Sequence, residues 1–105
     1  QEVLVAIADI VIAAACAESA FMRASVAEGS LAPLHADAAA VFINDASARI
    51  ETSARHVLAA IGEGDTLRTH LAGLRRLLKV APIDTVVRRR RIAEETVRRG
   101  SYIFQ

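Results

Sequence analysis

Glycine and proline stand where helix-length segments would end, and their spacing constrains the fold more than any other feature of the chain. Gly29, Pro33, Gly62, Pro82 and Gly100 divide it into four segments with apolar residues at helical intervals. The spacing predicts helices at about 2–28, 33–61, 65–79 and 84–99. The first stops at Gly29. The second opens at Pro33, with Ser30 upstream, and ends at Gly62. Asp65 and Asp84 are placed to cap the third and fourth, which end before Pro82 and at Gly100. The expected class is all-α: an antiparallel four-helix bundle forming one domain over residues 1–105. An alanine-rich, 53% apolar and only 4% aromatic composition agrees with packed helices and disfavours a disordered or all-β chain.

At about 100° per residue, the first helix places Val3, Leu4, Ile7, Ile10, Val11, Ala14, Phe21 and Met22 on one stripe, with Val5, Ile12 and Cys16 opposite. It is apolar almost all round, so its second face is expected to pack on something outside this chain. The second helix has a cleaner stripe of Ala39, Ile43, Ala46, Ile50, Ala54, Val57 and Ile61. The third is expected to bury Leu67, Leu71, Leu74, Leu77 and Leu78, turning Arg68, Arg75, Arg76 and Lys79 outward.

The fourth helix contains the run Arg88 to Arg91. Its expected inward stripe is Val86, Ala93 and Val97, flanked by Val87 and Ile92, with Arg88 and Arg91 facing out. That register sets Arg90 among apolar residues. Glu18 has the same predicament on the first helix, and a lone buried charge costs several kcal/mol, on the order of 3 to 5. The expected remedy is a buried Glu18–Arg90 ion pair, with Glu94 and Glu95 four residues beyond Arg90 and Arg91 as surface partners. Residues 1–64 hold three basic against eight acidic side chains, net −5, and residues 65–105 ten against four, net +6. Such asymmetry suits two mutually attracting halves or an anionic partner for the second.

Catalytic parts do not assemble. His35, His56 and His70 lack metal-site spacing, Cys16 in an alanine-rich helix is expected to be a small core residue, and no glycine-rich phosphate loop or nucleophile elbow occurs. No catalytic, cofactor-binding or metal-ligating residue is assigned. A single cysteine fits a reducing, cytoplasmic compartment, and the apolar stretch Val3 to Ala17, broken by Asp9, is short for a membrane span. Nucleic acid is disfavoured as a partner because only Tyr102 and Phe104 provide aromatic rings near the arginines. An anionic membrane surface fits the basic face of Arg68, Arg75, Arg76, Lys79, Arg88 and Arg91 better, giving peripheral contact at the inner face of a membrane.

The stretches QEVLVAIADIVIAAACAESAFMRA, NDASARIETSARHVLAAI and EGDTLRTHLAGLRRLLKVAPIDTVVRRRRIAEETVRRGSYIF resemble the extra C-terminal helical domain of very-long-chain-type acyl-CoA dehydrogenases and their bacterial relatives. The pattern is Ala8-Asp9, Glu18-Ser19-Ala20 and Arg23, then Ala48-Arg49-Ile50, then a Leu/Arg-rich helix followed by a proline-containing connector. The resemblance implies one piece of a larger FAD-dependent enzyme that introduces an α,β double bond into fatty acyl-CoA. The flavin and the catalytic glutamate would belong to a preceding catalytic domain, and none of their residues carries over to this chain. The implied partners are that catalytic domain, a second subunit and a membrane surface. A start at Gln1, inside or just before a helix, also suits a piece of a longer chain. The competing readings are a free-standing helical adaptor with a basic surface and a self-associating bundle.

Overall fold

A computed structural model describes residues 1–104. The chain is helical, with α1 at Glu2–Val26, α2 at Ala32–Ile61, α3 at Gly64–Leu77 and α4 at Thr85–Arg99. A single 3-10 turn, Gly29–Leu31, precedes α2 and contains Ser30, so Pro33 is the second residue of α2. No strand occurs among the described residues.

The helix ends follow the punctuation. Gly29 has φ +79° at the break after α1. Asp84 caps α4, its carboxylate accepting from the Val87 N–H at 3.1 Å. Gly100 closes α4 in the left-handed conformation, and its N–H donates to the Thr96 carbonyl at 2.9 Å. Asp65 is not the cap of α3. The N-cap is Glu63, in extended conformation without a side-chain cap bond, while Asp65 lies in the first turn. Lys79 falls just past α3, not within it.

Two compact units divide the chain. Unit 1 comprises residues 1–16 and 45–81: the beginning of α1, the end of α2, and α3. Unit 2 comprises residues 17–44 and 82–104 of those described, with the end of α1, the beginning of α2, and α4.

In unit 1 the sheltered side of α1 is Val3, Ala6, Ile10 and Ala13, and in unit 2 it is Ala17, Ala20 and Ala24. These positions repeat at the three- and four-residue steps of a heptad, but most are alanines. Of the larger residues expected inside, Val3 and Ile10 are sheltered but the rest are outside: Leu4 is 69% exposed, Val11 61%, and Ile7, Phe21 and Met22 are exposed with them. A helix apolar on every side has no polar face to choose its orientation, and its alanine stripe permits the closest approach to a neighbouring helix. The expected small-residue stripe of α2 holds up to its last residue, with Ala39 and Ala46 buried and Ile43, Ile50, Ala54 and Val57 half-buried, whereas Ile61 at the helix end is exposed. By length and composition alone the whole of α1 could cross a membrane, which the stretch Val3 to Ala17 had not suggested.

In unit 1, Leu67, Leu71 and Leu74 of α3 and Leu78 at its C-cap are half-buried as expected, but Leu77 is left outside. In unit 2 the expected stripe of α4 fails except at Ile92. Val86, Ala93 and Val97 are exposed, while Thr85, Arg88, Ile92, Glu95 and Thr96 are half-buried. The cause is a carboxylate on α2.

Candidate functional site

Asp37 is the only charged residue between Glu28 and Asp45, and unit 2 folds around it. Its side chain is 3% exposed. Arg88 Nη1 donates to its Oδ1 at 2.9 Å, and Arg91 Nη1 lies 3.1 Å from Oδ1 and 3.2 Å from Oδ2. A desolvated carboxylate needs charge-assisted donors on both oxygens. Arg88 and Arg91 stand three residues apart on one side of α4, so meeting that need brings this side of α4 inward and leaves Val86 and Val97 outside. Both guanidiniums keep partial contact with water, at 33% and 54% exposure.

This site differs from the expected one. Glu18 and Arg90 are both exposed and do not pair with each other. Arg88 and Arg91, assigned to an outward basic surface, are committed to Asp37 instead. Glu95 pairs with Arg98 and Arg99 rather than with Arg91. Hydrogen bonds from Arg98 and then Arg99 lower its pKa from the ordinary 4.5 to about 2, and the same carboxylate raises that of Arg98. Asp37 had a visible signal: a solitary acid flanked by alanines in an otherwise uncharged helical stretch, upstream of an arginine run.

The segment after α4 completes unit 2. Ile103 is buried, the Phe104 ring meets His35 edge-on at 4.9 Å and Tyr102 at 5.9 Å, and Arg23 Nη2 donates to the Phe104 carbonyl at 3.5 Å. Phe104 is thereby held against the protein. Beside it lies a cavity of about 170 Å³, lined by Ala20, Arg23, His35, Ala39, Phe42 and Phe104.

Unit 1 has two open grooves. One, about 460 Å³, lies between α1 and α2 and includes Glu2, Asp9, Thr52 and His56. The other, about 410 Å³, is mostly apolar, lined by Ile10, Ala54, Leu58, Leu74 and Leu77 together with Thr69 and His70. Arg68, Arg75, Arg76 and Lys79 are exposed as expected. Arg68 makes a 3.4 Å contact to Asp65 in which both side chains are largely in solvent. Cys16, expected in the core, is exposed. Among the described residues no group of three or more His, Cys, Asp or Glu could hold a metal ion. What the arrangement offers is binding surface: open apolar faces and solvent-facing charges around small cores.

The family profile described as "Acyl-CoA dehydrogenase, C-terminal domain" matches residues 1–76. A protein of Bacillus subtilis (strain 168) named "Probable acyl-CoA dehydrogenase" is 37% identical over 100 residues, covering 89% of this chain and 16% of that protein. The chain thus spans about one sixth of this curated relative's length. No solved structure matches.

Proposed function

The chain belongs to the acyl-CoA dehydrogenase C-terminal domain family, and from that premise we propose that it is a non-catalytic accessory domain, an antiparallel bundle, that docks on the catalytic part of its enzyme. The enzyme in view is cytoplasmic and of the very-long-chain type, carrying out FAD-dependent α,β-dehydrogenation of a fatty acyl-CoA. The flavin is assigned to the remainder of the enzyme, and no catalytic step is routed through this chain.

One observation carries the reading: α1 turns its large apolar residues to solvent. On its outermost side Leu4 and Val11 in unit 1 are 69% and 61% exposed, and Met22 and Val26 in unit 2 are 58% and 76% exposed. Burying such a side chain is worth about 1.5 to 3 kcal/mol, and an apolar face of this kind marks an interaction site. The occupant that fits is the rest of the polypeptide, since the chain corresponds to only 16% of its relative. An alternative adaptor role for the arginines is weaker, because Arg88 and Arg91 are engaged by Asp37.

The test is made in the full-length polypeptide with Leu4→Lys, Val11→Lys and Met22→Lys combined. The expected outcome is loss of compact docking, read as faster proteolytic release of the helical segment and a lower melting temperature of the flavin-loaded enzyme. Helical content stays unchanged. Unaltered proteolysis and melting would overturn the docking role.

A further inference from the structure

The cavity beside Phe104 in unit 2 combines an apolar body with cationic chemistry at its open side. Ala20 of α1, Ala38, Ala39 and Phe42 of α2 and the Phe104 ring are its apolar walls, while Arg23 and His35 supply the polar groups of the lining. Buried Ala39 marks the floor and exposed Arg23 the side toward solvent. No carboxylate lines the cavity among the described residues, and Asp37, next to Ala38 in the chain, is engaged by Arg88 and Arg91. Arg23 is loosely held by comparison. Its bond to the Phe104 carbonyl, at 3.5 Å, is longer than the ordinary range of about 2.7–3.2 Å, so the guanidinium can turn its donors to an anion.

Size and wall chemistry restrict the occupant. The volume of about 170 Å³ is close to the roughly 150 Å³ of an engineered apolar cavity that accepts benzene, and well short of the roughly 300 Å³ at which pockets for drug-sized molecules begin. A long acyl chain or a nucleotide is too large. Three rings border the space, Phe42, Phe104 and His35, and His35 already meets Phe104 edge-on, an arrangement in which aromatic groups attract one another. We infer that this cavity binds a small aromatic carboxylate of about benzoate size. Its ring lies against Ala39 between the phenylalanines, and its carboxylate meets Arg23, with a ring N–H of His35 as the second donor. Charge-assisted hydrogen bonds select the anion, and burial of the ring favours binding further. Because the walls come from α1, α2 and the segment after α4, an occupied cavity ties these three together. The inference is independent of the docking role, which rests on the outward residues Leu4, Val11, Met22 and Val26.

The experiment uses the full-length polypeptide with isotopically labelled alanine methyl groups, followed by NMR during titration with benzoate and, separately, with benzamide, which keeps the ring and loses the charge. Benzoate is expected to give saturable shifts at the Ala20, Ala38 and Ala39 methyls, produced by the ring of the bound probe. Benzamide should bind about tenfold more weakly, a difference of about 1.4 kcal/mol. Arg23→Gln should weaken benzoate about tenfold and leave benzamide unchanged, a selective loss that a folding defect would not give. Ala39→Leu fills the floor and should abolish the response to both probes. Still methyls at all three positions, or shifts confined to alanines elsewhere in the enzyme, would overturn the inference. Equal affinity for the two probes, or benzoate binding indifferent to Arg23→Gln, would overturn it as well, because the anion would then have no part in recognition.

Discussion

The third and fourth helices are nearly equal in length, 14 and 15 residues, and both are rich in arginine, yet each is held in its unit by different physics. In unit 1, α3 is held by leucines, and its arginines stay in water. In unit 2, α4 is held through two arginines that reach a buried aspartate, and its valines stay in water. Apolar attachment is non-directional and tolerates small shifts. Attachment through Asp37 specifies distance and orientation, and it leaves a charge without a partner if either side is lost.

Asp37→Ala should break the comparison most severely. It strands Arg88 and Arg91, and removing one partner of a buried pair costs about 3 to 5 kcal/mol. Because both arginines are partly solvated, a value of roughly 3 kcal/mol is expected in urea denaturation, at the lower end of that range. Replacing all three by apolar residues, Asp37→Leu with Arg88→Met and Arg91→Met, should recover most of the loss. Failure to recover would show that α4 needs the ion cluster for its register.

Leu71→Ala should cost about 2 kcal/mol, the low end for deleting a leucine because this one is only half-buried. Leu77→Ala, at an 85% exposed position, should stay within about 0.5 kcal/mol. Equal melting temperatures for the two variants would contradict the assigned face of α3. Asp84→Ala removes the cap bond of α4 and should cost about 1 kcal/mol by thermal unfolding. Cap loss at Glu63, which makes no side-chain bond, should cost nothing measurable.

The smallest effect is electrostatic. The folded-state pKa of Glu95 lies below its ordinary value, so its contribution to stability is complete above about 4.5 and is lost as pH falls toward about 2. Carboxyl NMR should report that midpoint, and Glu95→Gln should remove this part of the acid sensitivity.

The same contrast explains what was legible in the sequence. Helix number and ends were readable because Gly29, Gly100 and Asp84 act through local backbone geometry. The leucine face of α3 was readable because one side is apolar and the other cationic. The face of α1 was not, since residues apolar on all sides leave close approach of alanines, rather than hydrophobicity, to decide. The face of α4 was not readable from its own residues either, because its valines suggested one side and Asp37, about fifty positions earlier, imposed another. The charge imbalance of Glu18 and Arg90 was real in sequence, but both found solvent, and the desolvated carboxylate was Asp37.

The alanines along the sheltered side of α1 carry a consequence for how this segment can vary. At Ala6 and Ala13 in unit 1, and at Ala17, Ala20 and Ala24 in unit 2, the restriction is on volume: serine or glycine should be admitted while leucine or valine is rejected. On the outermost side the preference runs the other way, toward bulk. A saturation library of α1 should therefore show tolerance sorted by side-chain size, with a rhythm of alternating three- and four-residue steps, rather than by polarity.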